Sequence, residues 1–210
     1  MVYIYILMVY NGITKNGLRL LRLLARRFSE RFSINQVARQ LKLSPRGAYK
    51  MLKSMESEGI LKPERIGNSI FYHIDFNSDF ARKAAELSLF EEVKSAYARV
   101  QAKDLETLRN RASALILYGS LLEKGENAED IDIMAVVEQE NYAFFRNGLS
   151  ELQNKKPKHI HAVVMSKQDL AKNLAKKDAV AMEILNKGNI LWGQDVIVNA
   201  IKDSYGAFAE

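Results

Sequence analysis

The chain has 210 residues, 48% hydrophobic and 27% charged, with 11 Gly and 3 Pro. This composition suits a globular protein of one large or two ordinary domains and excludes collagen-like, proline-rich and disordered classes. Cysteine is absent, which excludes a disulfide framework, a thiolate zinc site and a cysteine nucleophile. The net charge of +6 is unevenly placed: residues 1–80 carry 13 Lys+Arg against 6 Asp+Glu, and residues 81–210 carry 18 against 19. A basic N-terminal third joined to a near-neutral remainder points to a nucleic-acid-binding module attached to something else.

The run Met1–Tyr10 is the longest apolar stretch, about half of the roughly 20 residues a membrane-crossing helix needs. No basic residue precedes it and no small-residue cleavage site follows, so it does not read as a signal peptide. Its Tyr, Ile and Val content suits a strand or a dimer contact, and Met8 offers an alternative start. A cytoplasmic protein with no membrane partner is the expectation.

Residues 16–28 carry Leu18, Leu20, Leu21, Leu23 and Leu24 on one face and arginines elsewhere, an amphipathic helix. Ser33-Ile34-Asn35-Gln36 is a capping-box pattern that opens a short second helix ending at Leu43. Ser44-Pro45 then starts a third helix, with a serine cap and proline in the first turn, which runs to about Glu58 and stops at Gly59. Two capped helices so closely spaced have the sequence form of a helix-turn-helix. On the third helix Ala48, Leu52 and Met55 face inward, and Arg46, Tyr49, Lys50 and Lys53 share the opposite side. Ser44 and Arg46 stand at its start, where a recognition helix meets base edges. Arg46 suits a guanine edge, and Lys50 and Lys53 suit phosphates.

Two β-rich runs, Ile60–Ile66 and Ser69–Ile74, flank Gly67-Asn68, a two-residue hairpin signal. His73 reads as an ordinary strand residue. Three helices followed by a hairpin resemble a winged helix-turn-helix domain, with Ser33–Ile74 carrying the resemblance. It implies that the third helix enters the major groove of double-stranded DNA, with Arg65 and Asn68 at the hairpin tip on the neighbouring backbone.

From Asp79 to Arg111 there is no Pro or Gly, and Phe80, Ala84, Leu87, Phe90, Val93, Tyr97 and Val100 recur at helical spacing. One long helix or two abutting ones fit, packing either on the chain's own domains or against a second subunit. A homodimer is expected, because winged-helix regulators generally read two half-sites about 34 Å apart.

In the C-terminal half, Ala114–Tyr118 reads as a buried strand followed at once by Gly119-Ser120. A polar loop then leads to Asp130-Ile131-Asp132 at the head of a second apolar run. Side chains two apart on a strand share a face, so Asp130 and Asp132 point together while Ile131 and Ile133 enter the core. Adjacent like charges repel, and a hard divalent cation such as Mg²⁺ offsets the repulsion while adding phosphate oxygens to its shell. Gly119 lets a phosphate approach the backbone, and the Ser120 hydroxyl and nearby N–H groups could hold it.

This Gly-Ser and Asp-x-Asp arrangement resembles the nucleotidyltransferase superfold, in particular its minimal prokaryotic branch, over about 91–192. The later order fits as well: a helix around 141–152, a strand at 158–165, a Ser166-capped helix ending at Gly188, and a close at Gly188–Gly193. The resemblance implies nucleotide contacts from Gly119, Ser120 and Lys124, and Mg²⁺ on Asp130 and Asp132. Active members add a third carboxylate on a later strand, for a second metal and for activation of the acceptor hydroxyl. The matching strand here, 158–165, has no Asp or Glu. His159 and His161 share one face of it, and His161 is taken as the catalytic candidate at the third position. Two other departures are Leu121–Gly125, where family loops carry a small-Arg-Gly element, and Glu129, where they carry Ser.

The expected fold class is α+β. It comprises a winged helix-turn-helix at 1–78, a helical connector at 79–111 and a nucleotidyltransferase-like mixed sheet with flanking helices at 112–210. The leading functional expectation is a DNA-binding transcription regulator whose C-terminal domain serves as nucleotide sensor or dimerisation module. The alternative is an active Mg²⁺-dependent enzyme moving a nucleoside monophosphate from NTP to a protein, RNA or small-molecule hydroxyl, in an antitoxin-like setting. A scaffold binding neither DNA nor nucleotide is the third reading.

Overall fold

The computed structural model describes residues 13–206, an α+β chain that divides between Ser88 and Leu89 into two compact units. The apolar run Met1–Tyr10 lies outside the described residues.

The first unit orders α1 (Lys15–Arg26), α2 (Ile34–Leu41), α3 (Pro45–Ser57), β1 (Leu61–Ile66), β2 (Ser69–Ile74) and α4 (Asp79–Ser88). Each of the first three helices starts where a hydroxyl meets an orphan backbone N–H. Thr14 accepts from Gly17, Ser44 accepts from Gly47 at 3.1 Å, and Ser33 forms a reciprocal box with Gln36. Truncating Ser33 to alanine is expected to cost about 1 kcal/mol, read as a lowered urea midpoint at unchanged slope. Helix α2 ends at Leu41, two residues before the predicted stop, because Lys42 turns left-handed at φ 57°. Leu20, Leu21, Val37, Leu52 and Tyr72 form a buried core. The hairpin closes as predicted, with Ile66 opposite Ser69 across Gly67-Asn68 and Gly67 at φ +58°.

The connector is neither one helix nor two abutting ones. Helix α4 belongs to the first unit and α5 (Ala96–Leu105) to the second, and residues 89–95 between them are not helical. Two side chains define the break. Arg22 of α1 donates through Nε to the Ser88 carbonyl at 2.6 Å, closing α4, and the Ser95 hydroxyl caps Ala98 to open α5.

The second unit continues with β3 (Ala114–Tyr118), the single turn α6 (Leu121–Lys124), β4 (Asp130–Val136), α7 (Tyr142–Gln153), β5 (His159–Met165), α8 (Lys167–Ala175), α9 (Ala179–Lys187), β6 (Asn189–Trp192) and α10 (Gln194–Gly206). The helix predicted from Ser166 to Gly188 is two helices. Lys177 adopts φ 53°, and Asp178 caps Ala181 at 2.9 Å to restart the chain.

The strands order β5-β4-β3-β6. Strands β3 and β4 are antiparallel, and β4 and β5 are parallel, as the crossover through α7 requires. Leu115, Leu117, Ile131, Ile133 and Ile160 fill one face against Phe145, Leu149 and Leu152 of α7. On the other face a Cβ at Gly188 would lie 2.4 Å from Ile116, so α9 ends in close approach to β3. Among the described residues no helix is long and apolar enough to cross a membrane.

Candidate functional site

The alternation of β4 sends Ile131 and Ile133 into the core and turns Asp130 and Asp132 to the opposite face, both part-buried. Its neighbours complete a row across the sheet. Tyr118 of β3 is the antiparallel partner of Asp132, and His161 of β5 is its parallel partner. One register step away, Asp130 pairs with His159. His161 Nδ1 lies 3.1 Å from Asp130 Oδ2 and 3.7 Å from Asp132 Oδ1. The ring of His159 meets that of His161 edge-on, with centroids 4.6 Å apart. Of the two strand histidines, His161 is therefore the one drawn to the carboxylates.

Gly119 follows β3 at φ +76°, and a Cβ there would sit 2.2 Å from Asp132 Oδ2. Glycine is thus required twice, by the backbone angle and by the carboxylate. Ser120 is part-exposed and its hydroxyl makes no capping hydrogen bond. Lys124 stands exposed at the end of α6, with no side-chain hydrogen bond or ion pair among the described residues, and outside the Asp-Asp-His cluster.

Burial, reinforced by the Asp130 charge, raises the Asp132 carboxyl above the ordinary aspartate value, and His161 opposes this. Burial likewise raises the Tyr118 phenol, with Asp132 and Asp130 adding to the shift. The sign for stability follows from linkage. A raised folded-state value means the native state holds the Asp132 proton longer than the unfolded chain does. Its contribution is fully present below the unfolded value and is lost as pH rises through the folded one. In chelator-treated protein Asp132→Asn is expected to be more stable than the parent at pH 7, with the difference shrinking as pH falls through the raised folded-state value and gone by about pH 4. Urea melts at the two pH values check this.

Neither family models, curated proteins nor solved structures match this chain. The site is therefore judged on its donors. Two carboxylates and one imidazole, with ligand atoms within 4.8 Å of one another, suit one divalent cation. No third carboxylate joins them among the described residues, so the donors do not fit a pair of ions.

Two contributors escaped the sequence reading. Tyr118 looked like the last residue of a buried strand, yet its register puts it beside Asp132. Lys158 donates through Nζ to the carbonyls of Glu126 (2.7 Å) and Ala128, and lies over the Tyr97 ring, fastening the loop that delivers Asp130. Only its position just before the histidine strand could have signalled this.

The first unit carries a separate candidate surface. Arg46, Tyr49 and Lys50 are exposed along α3, and Arg65 and Asn68 are exposed at the hairpin. Among the described residues Arg46, Lys50 and Arg65 make no side-chain hydrogen bond or ion pair, so their charge is unspent. Lys53 differs from expectation: it pairs with Glu56 at 2.8 Å, and Glu56 also accepts from the Tyr72 hydroxyl at 3.3 Å. The Ser44 hydroxyl accepts from Gly47 as the α3 cap. His73 sits half-buried on β2, where burial lowers its imidazole below the ordinary value.

Proposed function

We propose that the chain is a DNA-binding transcription regulator of the winged helix-turn-helix kind, working as a homodimer in the cytoplasm. Its second unit is read as a nucleotidyltransferase-like domain that senses a nucleotide or supports dimerisation. The observation that carries the reading is the two exposed cations of α3, Arg46 and Lys50, which make no ion pair among the described residues and are flanked by the hairpin with Arg65 and Asn68. Helix α3 starts at a cap and presents Arg46 in its first turn, the position from which base edges are read. Lys50 and Arg65 serve phosphates, and Lys53 contributes less because Glu56 already holds it.

Fluorescence anisotropy on duplex DNA from the chain's own upstream region tests this. Binding should weaken steeply with salt, as phosphate contacts release counterions. Binding no stronger than that of an equally charged control protein would remove the reading. Repeating the titration with saturating ATP and GTP tests the sensor role, which an unchanged operator affinity would exclude.

A second reading, an active nucleotidyltransferase, is favoured by the alignment of Asp130 and Asp132 beside Gly119 and Ser120. In that reading the aspartates hold the metal, Mg²⁺ by resemblance. Gly119, Ser120 and Lys124 receive the triphosphate, and His161 takes a proton from the acceptor. Labelled-nucleotide transfer that vanishes in Asp132→Asn while DNA binding persists would favour the enzyme over the regulator.

A further inference from the structure

The Asp130–Asp132–His161 cluster differs in kind from a pair of carboxylates awaiting Mg²⁺. Mg²⁺ demands oxygen ligands in near-octahedral array and parts with its water reluctantly. An imidazole nitrogen among the donors instead suits zinc and its first-row neighbours, which bind three protein ligands and keep a further position open.

Three features place His161 where a ligand would stand. The parallel register fixes it directly opposite Asp132 on the same sheet face. Its Nδ1 lies toward both carboxylates, at 3.1 Å and 3.7 Å, where a shared cation would gather all three groups. The edge-on His159 ring braces the imidazole from the neighbouring position on β5. The absent Cβ at Gly119 leaves room beside Asp132 Oδ2. One ion accounts for every donor present, since no other His, Asp or Glu among the described residues joins the group.

We propose that this cluster is a mononuclear site for a zinc-class transition metal. His161 Nδ1 and one oxygen from each of Asp130 and Asp132 are its protein ligands, and the remaining position is open to water or a phosphate oxygen. The inference rests on reading the cluster as a cation site, and changes the class and number of ions it holds.

The test uses the full chain, stripped with chelator and free of nucleotide. Co²⁺ is followed by its visible absorption, Zn²⁺ by competition against Co²⁺, and Mg²⁺ by calorimetry. One equivalent of Zn²⁺ should bind at least about tenfold more tightly than Mg²⁺. His161→Ala should weaken Zn²⁺ by at least about tenfold, with Mg²⁺ affected less, while His73→Ala leaves the Co²⁺ spectrum in place. His161→Asp should move the preference back toward Mg²⁺. Mg²⁺ binding as tight as Zn²⁺, or a Co²⁺ spectrum unchanged in His161→Ala, overturns the proposal. X-ray absorption of the zinc-loaded parent gives a reading independent of any variant's folding: a nitrogen donor in the shell supports the site, and an all-oxygen shell overturns it. Adding ATP afterwards separates the two ideas. No ATP binding with the Co²⁺ spectrum intact removes the nucleotide reading and leaves the metal site standing.

Discussion

Replacing Gly119 by alanine is expected to abolish cation binding at the second unit's cluster and to destabilise the fold by about 1–2 kcal/mol from backbone strain alone. The strain arises because Gly119 holds φ +76°, a conformation that L side chains resist. The loss of binding has a different cause. The new Cβ would lie 2.2 Å from Asp132 Oδ2, closer than real contacts allow, and the carboxylate must move. Asp130 is on the same face of β4 and His161 approaches from β5, so any displacement carries the carboxylate out of the shared site. Co²⁺ titration and urea melts of the variant check both parts. Parental Co²⁺ affinity in Gly119→Ala would mean that Asp132 has freedom its neighbours do not suggest.

The second large effect concerns α3. Arg46→Ala is expected to cost about 1–3 kcal/mol of operator binding and to relax preference at one base pair, as loss of a bidentate base contact does. Lys50→Ala should weaken all sequences alike and lower the salt slope by about one. Lys53→Ala should do less than Lys50→Ala, because Glu56 already neutralises it. Anisotropy titrations at several salt concentrations against operator and scrambled duplexes distinguish the three. Equal losses for Arg46→Ala on both duplexes would reassign it to the backbone.

Local chemistry made much of the first unit legible. A hydroxyl three residues before an orphan N–H, a proline in the first turn and a Gly-Asn turn act within a few residues, and the helices and hairpin follow them. One error fell where a distant side chain decided the outcome. No feature of residues 79–111 announces that Arg22, 66 positions earlier, will close α4 at Ser88. The Ser95 and Asp178 caps were readable, but apolar periodicity running through them concealed the breaks. In the cluster, alternation correctly paired Asp130 with Asp132. The choice between His159 and His161 depended on strand register, a property of two segments that neither carries by itself.

The parallel pairing of β4 and β5 has a consequence for how the cluster comes into being. Asp132 and His161 meet only after α7 has carried the chain across the sheet. A hairpin could bring its donors together early, whereas this crossover must first close a long loop. An unfolded chain therefore offers a metal the neighbouring Asp130 and Asp132 without His161 held beside them, and the complete set exists only once the sheet is assembled. If the cluster holds the proposed ion, occupancy would report that the second unit has finished folding, and the ion would raise the cost of undoing it by mass action.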